Sequence, residues 1–139
     1  MKKIILDTNF LLLPFTRKID VFSEIERIMY DPYKIIVLKK TVDELKKIQK
    51  EQKGKHKHNA KAALDLIKAK KPIILEVKQK DLNRTVNSKD VIADDIIMEI
   101  SDKNTIVATN DKNLQKNLKN KNIKLLILKK KTLEIKDVL

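Results

Sequence analysis

Five short apolar runs, each separated from the next by a segment with helical periodicity, most restrict how this chain can fold. Runs that are apolar on both faces are typical of central strands in a parallel sheet. Strands that alternate with helices indicate an α/β fold. We therefore predict one domain over residues 1–139, with a central parallel sheet of about five strands and helices on both sides. The predicted strands lie at residues 3–6, 35–38, 72–75, 106–108 and 125–128, with a candidate edge strand at 132–139.

Capping residues mark where the intervening helices begin. Asp20 precedes a helix that ends near Met29. Thr41 opens the next helix, and Glu44, three residues later, completes a capping-box pattern. Residues 50–58 lack apolar periodicity and hold the only glycine in the chain, which predicts an exposed loop. Further helices are predicted at residues 59–69 and 91–101 and after a cap at Asn110 or Asp111, with an irregular segment at 79–89.

The balance of charge favours a nucleic-acid partner. Lys and Arg number 32 against 19 Asp and Glu, so the formal net charge is +13. Adaptation to heat, or a bias in codon usage, would also enrich lysine. With 4% aromatic residues, binding through stacked bases is not favoured. The absence of cysteine excludes disulfides and thiolate metal sites, and no apolar run approaches the ~20 residues of a membrane span. We expect a soluble cytoplasmic protein with no membrane partner.

Acidic residues recur where α/β sheets bind their ligands. Asp7 ends the first predicted strand, Glu44 lies at the start of the helix after the second, and Asp111 follows the fourth. The carboxyl ends of parallel strands meet along one edge of a sheet, together with the first turns of the helices that follow them. Asp94 and Asp95 join this group only if their helix begins near the same edge.

Clustered carboxylates favour a metal site. At 4 Å two such charges repel by roughly 4 kcal/mol in a partly screened environment, which protonation or a divalent cation relieves. Carboxylate ligands without thiolates select a hard cation, Mg²⁺ or Mn²⁺. A basic protein with such a pocket suits phosphodiester hydrolysis, in which lysines hold the backbone and the metal activates water. Each acid alone has a simpler role as a helix cap or first-turn residue, worth about 0.3–1 kcal/mol.

Four segments, in this order along nearly the whole chain, resemble the motifs of the PIN-domain nucleases. They are residues 5–9 (ILDTN), 42–45 (VDEL), 91–97 (VIADDII) and 107–114 (VATNDKNL). The resemblance implies a Mg²⁺- or Mn²⁺-dependent endoribonuclease that cleaves single-stranded RNA with metal-activated water. It implies catalytic and metal-binding roles for Asp7, Glu44, Asp95 and Asp111. The isoleucines that follow favour Asp95 as the third acid, and Asp94 is the alternative metal ligand.

The same resemblance suggests supporting residues and partners. Thr8, Asn9, Thr109 and Asn110 would assist the site by hydrogen bonds. Residues 7–12 followed by 19–22 are similar to the ribosomal-RNA-processing branch of the family, so precursor ribosomal RNA is the expected target. Homodimers are frequent in such families. Two alternatives stay open: a VapC-type toxin ribonuclease, and a non-catalytic RNA-binding assembly factor that keeps the PIN fold.

Lysines around residues 46–58 and beside Asp111 are candidates for binding RNA. A solvated loop without RNA contacts explains the first group about equally well. His56 and His58 lack the partners of a zinc site, so a solvated or phosphate-contacting role is expected for them. The candidate RNA-binding residues are Lys46, Lys50, Lys53, Lys55, Lys57 and Lys112.

Overall fold

Strands and helices alternate along the chain in the computed structural model, which describes residues 1–78 and 92–136. The segment predicted to be irregular, 79–89, and the end of the tail lie outside the described residues. No helix within the described ranges is long and apolar enough to cross a lipid bilayer. The elements are β1 (Lys2–Leu6), α1 (Thr8–Thr16), α2 (Val21–Ile28), β2 (Tyr33–Leu38), α3 (Lys39–Glu51), α4 (Lys55–Lys70), β3 (Ile73–Leu75), α5 (Ala93–Ile100), β4 (Thr105–Ala108), α6 (Lys112–Asn120), β5 (Lys124–Lys129) and β6 (Thr132–Lys136).

The strands form one sheet in the order β3-β2-β1-β4-β5-β6. The first five are parallel, and β6 runs antiparallel to β5. Strand β1 is central, with Ile4 paired to Ile35 of β2 on one side and to Ile106 of β4 on the other. The predicted α/β fold is confirmed, with a sixth strand at one edge. Only two residues join β5 to β6, a connection long enough for an antiparallel hairpin and too short for a parallel crossover.

Alternate residues of the central strands face two separate apolar cores. Ile4 and Leu6 of β1 pack in the core that also receives buried residues of helices α1 to α4. Ile5 of β1 and Val107 of β4 pack on the opposite face with α5 and α6. Because side chains alternate between the faces of a strand, covering both faces requires continuous apolar runs. This explains why the predicted strands are apolar apart from Lys3, at the start of the first strand.

Two local predictions around α3 are wrong. The helix begins at Lys39 with Leu38 as its N-cap, so Thr41 lies inside the first turn and is fully buried instead of capping the helix. The predicted loop 50–58 contains the first turn of α4, and only residues 52–54 connect the two helices. Every residue from 50 to 58 is exposed. Because these helical residues have no buried face, their sequence shows no apolar periodicity. We name residues 50–58 the hairpin tip.

Leu45 lies on the face of α3 that packs in the first core, and its side chain is fully buried. The variant Leu45→Ala should lose about 2–5 kcal/mol of unfolding free energy, because the shortened side chain leaves a cavity. Urea unfolding followed by circular dichroism measures this loss. The control Lys47→Ala, at an exposed position of the same helix, should change stability by less than about 0.5 kcal/mol. Equal losses in the two variants would contradict this packing.

Candidate functional site

The candidate site lies at the switch point of the sheet, where the strand order reverses between β1 and β4. Open α/β sheets bind ligands at this point, beyond the carboxyl ends of the strands. Asp7 directly follows β1, and its backbone N–H donates to the carbonyl of Ala108 at the end of β4 (3.0 Å). Residues 109–111 leave β4 at the same edge and lead into α6. The fold therefore brings Asp7 and Asp111 together although they are far apart in sequence.

Hydrogen bonds hold the Asp7 carboxylate in place. The side chain is 6% exposed. Its Oδ1 accepts from the backbone N–H of Thr8 (2.7 Å), and its Oδ2 accepts from the Thr109 hydroxyl (2.8 Å). The same Thr109 oxygen accepts from the backbone N–H of Asp111 (3.1 Å). Gln115 donates to the Thr109 carbonyl (2.7 Å) and anchors this loop from α6. Thr109 thus links Asp7 and Asp111 through hydrogen bonds.

The environment of Asp7 disfavours its ionised form. Burial raises the pKa of this carboxyl above its usual value, and the hydrogen bonds from Thr109 and Thr8 offset part of that increase. The negative charges of Asp111 and Glu44 raise the pKa further. A carboxylate that is both buried and surrounded by like charges is stabilised by a cation at the same place.

Glu44 joins three elements at this edge. Its Oε2 accepts from the Thr8 hydroxyl at the start of α1 (2.8 Å), and its Oε1 accepts from the backbone N–H of Ala93 at the start of α5 (3.4 Å). The side chain therefore does not reach back to cap its own helix, contrary to the capping-box interpretation. The contact with Ala93 also places the beginning of α5 at this edge. Asp94 and Asp95 were expected to join the acidic group only if their helix began here.

Asp94 is the acid of α5 that faces the other carboxylates. Its pKa is raised to about 6, mainly by burial and then by the negative charges of Asp7, Asp111 and Glu44, with Asp95 contributing least. Asp95 instead directs Oδ2 to the backbone N–H of Ile92 at the start of its own helix (3.4 Å). The sequence interpretation put more weight on Asp95, and in the structure the charges of the other three acids act on Asp94.

Asp111 combines a capping role with a place in the acidic group. Its Oδ1 accepts from the backbone N–H of Leu114 (3.0 Å), so it is the N-cap of α6, as one of the two predicted alternatives required. Its charge nevertheless acts on both Asp7 and Asp94. The neighbouring Asn110 accepts from the backbone N–H of Leu128 on β5 (3.2 Å), which ties the loop to the sheet. Asn9 lies exposed in the first turn of α1.

The donor atoms of this group suit a hard divalent cation. Four carboxylates and the hydroxyls of two threonines converge on the edge, and oxygen ligands of this kind are those preferred by Mg²⁺ and Mn²⁺. Across residues 1–78 and 92–136, no three acidic or histidine side chains are already arranged to hold a metal ion together. Three of the four carboxylates, those of Asp7, Glu44 and Asp111, accept hydrogen bonds in this arrangement. The residues that could hold the cation are Asp7, Glu44, Asp94 and Asp111.

The predicted RNA-binding lysines fall into two places. Lys112 is the first residue of α6 and adjoins the acidic group through Asp111. The others lie on exposed positions of α3, in the connection after it, and in the first turn of α4. The sequence interpretation missed Gln115, which anchors the Thr109 loop. The available signal was its position four residues after the capping residue Asp111, which places the two residues on the same side of α6. The α3–α4 lysines are Lys46, Lys50, Lys53, Lys55 and Lys57.

A parallel α/β sheet with acids gathered at its switch point defines the class of protein. The family model described as "PIN like domain" matches residues 4–131. The chain therefore belongs to the PIN-like domain family, and the resemblance inferred from the four motifs is confirmed.

Related proteins support this membership. Ribonuclease VapC4 of Methanocaldococcus jannaschii is 35% identical over 135 residues, covering 94% of this chain and 93% of that protein. The structure of the PIN domain endonuclease Utp24 matches with a TM-score of 0.72 at 22% identity, covering 99% of this chain and 92% of that one. VapBC2 from Rickettsia felis, bound to a DNA fragment from its promoter, matches with a TM-score of 0.54 at 15% identity, covering 90% and 98%. At these identities the two structures show a shared fold.

The raised pKa of Asp94 predicts a pH-dependent loss of stability. The folded-state pKa of about 6 exceeds the usual value of 3.8, so protonation of Asp94 favours the folded state. The stability that this protonation contributes is fully present below about pH 3.8. It is lost as the pH rises through about 6. Asp94 is only partly buried, so screening limits the loss to about 1 kcal/mol. Without divalent ions, Asp94→Asn should match wild type near pH 4 and be more stable by about 1 kcal/mol near pH 7.5.

Urea unfolding across this pH range tests the prediction. The control Asp65→Asn removes an equal charge from an exposed position of α4 and should change stability by less than about 0.5 kcal/mol at neutral pH. If Asp94→Asn were less stable than wild type throughout, Asp94 would not face a repulsive group of acids.

Proposed function

We propose that this chain is a divalent-metal-dependent endoribonuclease that hydrolyses phosphodiester bonds in single-stranded RNA. The observation that carries the proposal is the buried Asp7 carboxylate at the switch point, on which the charges of Glu44 and Asp111 act. Membership of the PIN-like family and the identity to a protein named as a ribonuclease support it. The excess of basic residues supports a polyanionic substrate.

We infer that Mg²⁺ or Mn²⁺ would be held by Asp7, Glu44, Asp94 and Asp111. Asp95 is the alternative that the motif resemblance favours, and Asp94 is preferred because the other three charges act on it. A bound cation would supply a more acidic water and shield the negative charge that develops on the phosphate.

The chain's own residues position and move the remaining groups. Thr109 and Thr8 hold the Asp7 carboxylate in one orientation, so that ligation does not depend on a freely rotating side chain. The carboxylate of Asp94, on which the charges of the other acids act, would orient the attacking water and accept its proton. The lysines of the hairpin tip would contribute affinity for phosphates without selecting a sequence.

Asp7→Asn should abolish cleavage by removing the charge at the centre of the site. We expect the rate to fall by more than about 100-fold. Substituting a residue that only supports a metal ligand already lowers metal affinity or activity by about 10–100-fold. The assay follows a labelled single-stranded RNA with Mn²⁺, Mg²⁺ or EDTA. Wild type should cut with either metal and not with EDTA.

Asp65→Asn provides the matched control, because it removes the same charge from an exposed position of α4 and should cleave like wild type. Cleavage that persists in Asp7→Asn would refute the assigned site. RNA binding without cleavage by wild type, under saturating Mn²⁺ and with precursor ribosomal RNA also supplied, would favour a non-catalytic assembly factor.

For the target we favour precursor ribosomal RNA, on the similarity of residues 7–12 and 19–22 to the processing branch of the family. The toxin alternative is favoured by a different observation, the 35% identity to ribonuclease VapC4. The two candidates differ in what the active protein does to a growing cell, because a toxin arrests growth and a processing enzyme matures one precursor.

Induced expression in a bacterial host distinguishes the targets. A processing enzyme should leave the growth rate within about twofold of that of Asp7→Asn, and should cut purified precursor ribosomal RNA at defined positions. Growth arrest by wild type but not by Asp7→Asn would identify a toxin and overturn the processing assignment. Matched protein levels, measured by immunoblotting, make the comparison valid.

A further inference from the structure

A groove of about 300 Å³ opens between α6 and the β5–β6 hairpin, beside the acidic group. Four of its lining residues are lysines: Lys112, Lys116 and Lys119 from α6, and Lys136 from β6. Ile127 and Leu128 of β5 also line it, and the side chain of Ile127 lies on the same face of the sheet as α6. Among the described residues that line it, none is acidic. We name this feature the lysine groove.

The lysines follow one side of α6. Lys112, Lys116 and Lys119 are spaced by four and three residues, so they project from the same face of the helix. Lys112 and Lys119 are seven positions apart, or ~10 Å along the helix axis at 1.5 Å per residue. The track begins immediately after Asp111, the N-cap of α6 and a member of the acidic group. The first lysine of the track is therefore next in sequence to a member of the acidic group.

Positive charges are crowded inside the groove. Contact with the ammonium group of Lys136 lowers the pKa of Lys119, with smaller effects from burial and from the charge of Lys112. Lysines drawn together in this way repel one another, and an anion lying between them relieves the repulsion. The arrangement complements the acidic group, in which crowded negative charges favour a cation.

We propose that the lysine groove binds successive backbone phosphates of the RNA strand on one side of the bond that is cut. This inference rests on the proposed function, since it assigns the groove to the substrate of the acidic site. A strand of phosphates matches a row of lysines that continues from the site, and the apolar lining can contact sugars or bases. Contacts of this kind fix the position of the strand and do not read its sequence.

The test measures binding of labelled oligouridine to the full chain in EDTA, where metal-dependent cleavage is prevented. The double variant Lys116→Gln/Lys119→Gln should weaken binding at least about fivefold. It should also reduce the slope of log affinity against log salt by about 0.7 for each lost phosphate contact, or about 1.4 in total. Because both lysines lie at the surface of α6 and repel their neighbours, the variant should melt no lower than wild type.

The matched control removes two charges from the opposite edge of the sheet. Lys34 lies near the start of β2 and Lys103 precedes β4, and both are exposed. Lys34→Gln/Lys103→Gln should bind within about twofold of wild type, with an unchanged salt slope. Equal weakening in the two double variants would mean that only net charge matters and would overturn the proposal. Wild-type binding by the groove variant would overturn it as well.

Cleavage assays separate the groove from the nuclease activity itself. With Mn²⁺, the groove variant should show a raised KM and a kcat close to that of wild type, as expected for lost uniform binding. If wild type does not cut but the groove variant still binds RNA more weakly than the control, the nuclease proposal fails and the groove stands. If kcat falls and binding is unchanged, the groove proposal fails and the nuclease stands.

Discussion

A carboxylate buried at the end of the central strand is the constraint on which the site depends. Burying an ionised group is costly unless partners stabilise it. Asp7 receives a backbone N–H from Thr8 and a hydroxyl from Thr109, and the latter is available only because β4 pairs beside β1. The order of the strands, the burial of both sheet faces and the position of the following loops thus combine to orient one side chain.

Charge is divided unevenly over the molecule. Acids converge at the switch point, whereas the exposed hairpin tip and the lysine groove carry concentrated positive charge. The first arrangement favours a divalent cation, and the second favours phosphates. Like charges act on one another within the acidic group and within the lysine groove, and counter-ions of the opposite charge would relieve that repulsion. This division of charge suits the nuclease activity that we propose.

Much of the fold was predictable because its signals are local. Strands covered on both faces must be apolar without interruption, so β1, β2 and β4 are visible as short runs. Asp7, Glu44 and Asp111 were predictable as a group, because parallel strands direct their carboxyl ends to one edge. The hairpin tip was misinterpreted where exposure on all sides removes the apolar periodicity on which helix prediction depends.

The sequence by itself determined the alternation of strands and helices, the family motifs and three acids at one edge, because each follows from local pattern and chain direction. Only the tertiary structure gave Asp94 and Asp95 different surroundings, since successive helical residues point ~100° apart. The charges of Asp7, Asp111 and Glu44 act on Asp94, whereas Asp95 accepts from the backbone N–H of Ile92. The tertiary structure also brought Lys136 of β6 beside Lys119 of α6. Contacts between distant segments depend on how elements pack, and no local pattern encodes that packing.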